Sequence, residues 1–126
     1  MSVRFAGYAA VFDAVDRGGD VVRRGAFVGA AETVPLLWQH GGRAVGSVQV
    51  LGEDARGLRV IGSVSEPGLA ALVAKGALTG LSFGYRARGV RRGVVRELTE
   101  VELVEVSLVA QPMQGLARVH AVEAGG

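Results

Sequence analysis

Short apolar segments separated by glycines and turn residues constrain the fold of this chain more than any other feature. Short segments bounded by turn residues are typical of β-strands. The clearest strand candidates span residues 4–12, 20–22, 35–40, 44–51, 58–64, 81–89, 94–98 and 101–110. Many short strands with turn signals predict a mostly β, antiparallel barrel or sandwich. Because several strands are apolar on both faces, we expect a closed barrel.

Two segments are candidates for the one or two short helices expected beside the sheet. In residues 69–75, Leu69, Leu72 and Val73 share one helical face, and Gly76 follows as a stop signal. The second candidate, 28–32, is long enough for one or two helical turns. Residues 116–122 alternate weakly, which leaves an edge strand and a short helix open.

Length and composition narrow the class of protein. The 126 residues fit one domain, 1–126, with a core at about 4–119 and a disordered tail at 123–126. The chain has no cysteine, which excludes disulfides, thiolate metal sites and a cysteine nucleophile. No apolar run approaches the roughly 18 residues of a membrane span. Residues 1–4 do not resemble a secretory leader, so we expect a cytoplasmic protein.

Arginines cluster towards the end of the chain, at Arg86, Arg88, Arg91, Arg92 and Arg96. The simpler interpretation is a solvated hairpin. The alternative is a patch for an acidic partner, either protein or nucleic acid. Aromatic residues that would stack on bases are not interleaved with these arginines, which argues against nucleic acid.

The stretch 80–85, Gly-Leu-Ser-Phe-Gly-Tyr, contains a candidate nucleophile, Ser82. In a strand, alternation places Ser82 on one face together with Gly80 and Gly84. Glycines on both sides leave space in which another backbone could approach the hydroxyl. Such a strand would present Ser82 to an extended peptide, although an ordinary serine in a glycine-rich strand is the simpler interpretation of these six residues.

Two further residues could complete a hydrolytic site with Ser82. His40 follows the apolar run 36–38 and is expected at a strand end, partly buried, where a base that titrates near neutral pH is useful. In the last strand, Glu105 is the carboxylate most embedded among apolar residues, and an imidazole N–H would keep it ionised. Glu102 is the reserve, because a bulge would exchange the two faces. Each residue alone has an ordinary structural explanation, but together they supply a nucleophile, a base and an orienting acid.

Four blocks of sequence, in this order, resemble the prohead (capsid maturation) proteases of tailed phages, which are distantly related to the herpesvirus assemblin serine proteases. The blocks are Gly7–Phe12 with Asp16, Asp20–Val22 and Gly25–Phe27; Leu37–His40; Gly76–Tyr85; and Glu105–Val109 followed by Pro112. They cover most of residues 5–119. One block would be weak evidence, whereas four in order are specific.

The resemblance implies a herpesvirus-protease-like β-barrel with flanking helices and a serine endopeptidase activity. Ser82 matches the family nucleophile, His40 the general base and Glu105 the third member. The implied substrates are the scaffold or the N-terminal delta region of the major capsid protein, together with the protease itself. Cleavage would occur inside the assembling prohead, in the host cytoplasm. A homodimer is implied by the assemblin relatives, and no metal or cofactor is needed.

A second function remains open on the same fold. The chain could be a catalytically inactive capsid-assembly factor that binds coat or scaffold protein through the arginine hairpin. The geometry around Ser82 discriminates between the two, because a base must come within hydrogen-bond reach of its nucleophile.

Overall fold

The computed structural model describes residues 2–124, which form one eight-stranded sheet and a single helix. In chain order, the elements are β1 (Val3–Val11), β2 (Asp20–Val22), β3 (Leu36–Trp38), β4 (Gly41–Glu53), β5 (Gly57–Val64), α1 (Pro67–Ala74), β6 (Gly80–Arg92), β7 (Arg96–Val109) and β8 (Val119–Ala124). The strands lie in the order β2-β7-β3-β4-β5-β1-β8, and β6 also pairs with β7. The prediction of a mostly β chain is confirmed.

The sheet is not closed into a barrel among the described residues, so the predicted closure is not confirmed. At one end of the strand order, β8 pairs with β1. Contact between β6 and the segment that leads into β8 is limited to an isolated bridge, Gly80 with Arg118, and to backbone bonds beside it. The rest of β6 has no strand on its outer edge in residues 2–124.

The helix α1 confirms the candidate at 69–75, although it begins two residues earlier and spans Pro67–Ala74. Glu66 is the N-cap, and its carboxylate accepts hydrogen bonds from the backbone N–H groups of Gly68 (3.1 Å) and Leu69 (2.7 Å). The helix packs Ala70 and Val73 into the core. The second predicted helix, at 28–32, is wrong: the segment consists of turn and irregular backbone, in which Gly29 adopts a positive φ angle that a right-handed helix excludes.

The end of the chain is more regular than its composition suggests. The edge-strand alternative for 116–122 is confirmed in β8, which pairs with β1. Residues 123 and 124, expected in a disordered tail, belong to this strand, because Arg4 and Val3 offer them a free edge. The other two residues of that expected tail, 125 and 126, lie outside the described residues.

Two predicted strands, 94–98 and 101–110, are one continuous strand, β7, which forms a long hairpin with β6. The register shifts at Gly84/Tyr85 and around Gly89, as β-bulges allow without ending the ladder. On its other side, β7 pairs in parallel with β2 and β3. A long central strand thus holds β3 and β6 on opposite sides. Among the described residues, no helix is long and apolar enough to cross a membrane.

Candidate active site

The three sequence-predicted site residues lie on or beside three adjacent strands. In the centre, Ser107 of β7 pairs with Leu37 of β3 on one side and with Ser82 of β6 on the other. Side chains of directly paired residues point to the same face of a sheet. Ser82 therefore lies beside Ser107, and Gly84, the next residue on that face of β6, lies beside Glu105.

Ser82 faces a cavity of about 610 Å³ that His40 also lines. Its side chain is largely buried, with 8% of the residue exposed. The hydrogen bonds of the site connect His40, Glu105 and Ser107, and none of the described residues bonds to the Ser82 hydroxyl. The hydroxyl is thus free to meet a ligand in the cavity.

The space beside Ser82 is used differently from our expectation. The glycines on its face were expected to admit another backbone, but at Gly84 the carboxyl group of Glu105 occupies that space. A Cβ at Gly84 would lie 2.9 Å from Glu105 Cδ and closer still to Oε1. At Gly80, a Cβ would meet the Val109 carbonyl oxygen and lie 3.0 Å from Pro112 Cδ. Both glycines therefore let groups of the protein itself pack around the serine.

His40 lies in a tight turn between β3 and β4, closed by pairing of Trp38 with Gly41. The turn residues, Gln39 and His40, have φ angles of 52° and 62°, as a two-residue type I′ hairpin requires. We expected residues 39 and 40 to end the predicted strand 35–40, because asparagine and glycine are the usual residues for this backbone. Non-glycine residues in such conformations cost about 1–3 kcal/mol each and cluster at functional sites.

Glu105 reaches His40 from the neighbouring strand. Its Oε1 contacts His40 Nδ1, and its Oε2 accepts a hydrogen bond from the Ser107 hydroxyl at 2.7 Å. Glu105 is 6% exposed, so these partners replace the water that an ionised carboxylate needs. An ionised carboxylate has only acceptors, so the contact requires a proton on Nδ1 and leaves Nε2 as the free base of a neutral imidazole.

Glu102, the reserve carboxylate, is not brought to His40. Its Oε1 accepts a hydrogen bond from Arg88 (2.5 Å) and lies 3.7 Å from an Arg86 nitrogen. These two arginines of the predicted basic cluster therefore belong to an exposed ion-pair group on the β6–β7 hairpin. Arg96, the last of the cluster, instead binds Asp20 through two hydrogen bonds.

Asp20 and Tyr85 line the same cavity as Ser82, on a polar wall. The Arg96 guanidinium, bonded to both carboxylate oxygens at 2.9 and 2.7 Å, holds the pKa of Asp20 below its usual range. Burial, with the nearby Asp20 charge, raises the pKa of the Tyr85 hydroxyl. At neutral pH this wall therefore presents a neutral hydroxyl beside a paired carboxylate. No cluster of three or more metal-ligating residues occurs within residues 2–124.

The sequence analysis assigned no role to two polar residues of the site, Ser107 and Gln114. Ser107 is fully buried and bonds both to Glu105 and to the backbone of His40. Gln114 bonds to both backbone polar groups of Val11 and to the Ala14 carbonyl, which fixes the segment after β7 against the end of β1. Strand alternation did place Ser107 on the face of Glu105, so its signal was present, whereas nothing in the sequence pointed to Gln114.

The fold is that of the herpesvirus proteases. A KSHV protease in complex with a hexapeptide phosphonate inhibitor superposes with a TM-score of 0.63 at 14% identity, over 99% of this chain and 66% of that one. The varicella-zoster virus protease gives 0.63 at 16% identity, over 99% and 65%. A further KSHV protease structure gives 0.58 at 17%, over 99% and 62%. The chain thus spans about two thirds of the length of these relatives.

The family to which the chain belongs is identified from its sequence. The caudovirus prohead serine protease family matches residues 1–125, and the chain belongs to that family. No curated protein sequence matches the chain. The resemblance inferred from the four sequence blocks is therefore confirmed at the level of family and fold.

Proposed function

We propose that this protein is a serine endopeptidase in which Ser82 is the nucleophile, His40 the general base and Glu105 the orienting acid. The observation that carries the proposal is the contact between Glu105 and His40 Nδ1, since His40 lines the same cavity as Ser82. This contact supports a triad, because in a triad the acid fixes the tautomer of the base.

The proposed reaction follows from the roles assigned to these three residues. His40 Nε2 takes the proton from Ser82 Oγ as the oxygen attacks the scissile carbonyl carbon, and Glu105 stabilises the resulting imidazolium. The imidazolium then gives its proton to the leaving amine, and an acyl-enzyme remains on Ser82. A water molecule activated by His40 releases the acid product and restores the hydroxyl.

The missing hydrogen bond between Ser82 and His40 is compatible with this role. Catalytic hydrogen bonds are often long in unliganded enzymes and shorten when substrate binds. His40 is anchored through its main chain and through Nδ1, while 44% of its side chain is exposed and the residue lines the cavity. We expect substrate binding to bring His40 Nε2 within hydrogen-bond reach of the Ser82 hydroxyl.

The outer edge of β6 is suited to an extended substrate. The Leu81 N–H donates to the Ala117 carbonyl across this edge, and alternation turns the backbone groups of Phe83 to the same side. Beyond Ser82, no strand of residues 2–124 covers the edge. We propose that the substrate main chain pairs here as an added strand and so brings its scissile bond to Ser82.

The family supports the choice of substrate. We propose cleavage of the major capsid protein, at its delta region, or of the scaffold, inside the assembling prohead in the host cell, as well as self-cleavage. A homodimer belongs to the same proposal. A protease confined to a shell would act on a high local concentration of its substrate, so modest affinity for an extended segment would suffice.

Covalent labelling tests the nucleophile without knowledge of the cleavage site. A serine-directed phosphonate is expected to label Ser82 alone, because Ser82 is the only serine or threonine among the residues that line the cavity with His40; peptide mass spectrometry would locate the adduct. Labelling should disappear after heat unfolding, which disperses the site. Modification of another serine, or equal labelling of the unfolded chain, would contradict the proposal.

Gly84→Ala is expected to lower the labelling rate roughly 100-fold while the protein still folds. The new Cβ must displace the Glu105 carboxyl group from His40, and misplacing an orienting group by about 1 Å costs on the order of 10²-fold. Because the φ of Gly84 is not left-handed, alanine adds no backbone strain.

Gly52→Ala in β4 is the matched control, since its Cβ would meet nothing within 4 Å and its φ is likewise not left-handed. An unchanged labelling rate in both variants would show that the position of Glu105 does not affect the reactivity of Ser82, which would contradict its role as the orienting acid.

A further inference from the structure

Ser107 connects the two groups that prepare the proposed base. We propose that Ser107 is a positioning residue that fixes the Glu105 carboxylate and the main chain of His40 relative to each other. This inference rests on the function proposed above and adds a residue to its machinery.

The hydrogen bonds of Ser107 support this role. A serine hydroxyl offers one donor and two acceptor sites. The Ser107 hydroxyl donates to Glu105 Oε2 at 2.7 Å and accepts from the His40 backbone N–H at 3.0 Å. The residue is 0% exposed, so water cannot replace either partner. One buried side chain thus joins the acid to the backbone of the base.

The turn that carries His40 needs such support. Gln39 and His40 both adopt positive φ angles, which their side chains disfavour. Gln39 is held by two bonds: its N–H donates to the Leu108 carbonyl at 3.0 Å, and its Oε1 accepts from the Ala110 N–H at 2.7 Å. The main chain of His40 is held to β7 by the Ser107 hydroxyl.

The same hydroxyl orients the carboxylate. With Oε2 bound to Ser107, Oε1 is the oxygen that faces His40 Nδ1. Without the hydroxyl, the Glu105 side chain could rotate, and Nδ1 would lose its fixed acceptor. His40 would then populate both neutral tautomers, and the one protonated at Nε2 cannot accept a proton from Ser82.

The first test compares Ser107→Thr with Ser107→Val, which have the same shape and differ in a hydroxyl. The readout is the inactivation of the full chain by a serine-directed phosphonate. Valine is expected to lower the maximal inactivation rate about 10- to 100-fold, by analogy with the loss seen when the hydrogen-bond partner of a metal ligand is removed. The binding constant of the probe should stay within about threefold of the wild type. Threonine should restore the rate to within about fivefold of the wild type.

Equal rates for the threonine and valine variants would overturn the proposal. If neither branched residue folds in this tightly packed position, Ser107→Ala removes the hydroxyl without added bulk and gives the same comparison with wild type. A rate for Ser107→Ala within about threefold of wild type would likewise overturn it. Melting temperatures separate a loss of folding from a loss of rate.

A second readout is independent of catalysis. Nitrogen-15 NMR of the His40 ring, recorded on Ser82→Ala protein, is expected to show a single tautomer protonated at Nδ1. Adding Ser107→Ala should produce a mixture of tautomers, and an unchanged single tautomer would refute the positioning role. If Ser82 is never labelled but the tautomer still depends on Ser107, the proposed function fails while the positioning role stands.

Discussion

Ser82→Ala is expected to leave the cognate major capsid protein uncut when the two are co-expressed, whereas the wild-type protein trims its N-terminus. Loss of the nucleophile of a triad lowers the rate by roughly 10⁶-fold, far beyond what an expression period can compensate. Mass spectrometry of the capsid protein's N-terminus measures the result. Folding should be unaffected, because no described residue bonds to the Ser82 hydroxyl and alanine leaves no partner unsatisfied.

The matched control is Ser63→Ala, a strand serine on β5 whose hydroxyl accepts a bond from Gln49 Nε2 at 2.9 Å, away from the cavity. It should cleave as the wild type does. Trimming by Ser82→Ala protein would refute the nucleophile. An intact N-terminus with wild-type protein that also resists the phosphonate would favour the assembly-factor function instead.

Glu105→Gln is expected to lower the cleavage rate by roughly 10³- to 10⁴-fold. Removing the charge of the orienting acid costs about 10⁴ in the serine protease triad, because the base is held in the wrong tautomer. Here glutamine can place an acceptor toward only one of its two partners, His40 Nδ1 or the Ser107 hydroxyl. The decisive measurement is the initial rate of capsid-protein cleavage by purified variants at equal concentration.

Glu102→Gln provides the comparison, since it is the same substitution on the same strand. It breaks an exposed ion-pair group with Arg86 and Arg88, and such pairs contribute about 0–1 kcal/mol. Its rate should stay within about twofold of the wild type. A larger loss for Glu102→Gln than for Glu105→Gln would reverse the assignment of the acid.

Much of the site follows from local pattern. Two-residue alternation in β6 put Ser82 and Gly84 on one face, and in β7 it put Glu105 and Ser107 on one face. The same alternation put Glu105 and Glu102 on opposite faces of β7. These positions were predictable because the side-chain direction in a strand depends only on the parity of the residue number, except where a bulge intervenes.

The pairing of strands was decided only in the tertiary structure. The sequence does not state that β3 and β6 flank β7, and this neighbourhood brings His40 to Glu105 across 65 residues of chain. The turn at Gln39 and His40 contradicts local preference, so only its hydrogen bonds to β7 explain it. The role of Gly84 was misread for the same reason.

By itself, then, the sequence determined a β chain of the prohead protease family, together with the face on which each candidate residue lies. Periodicity and motif spacing are local properties, so they can be recognised without knowing which strands pair with each other. The contact of His40 with Glu105, the open edge of β6 and the buried hydroxyl of Ser107 arise from non-local pairing. Such contacts depend on register and strand order, which the tertiary structure alone decides.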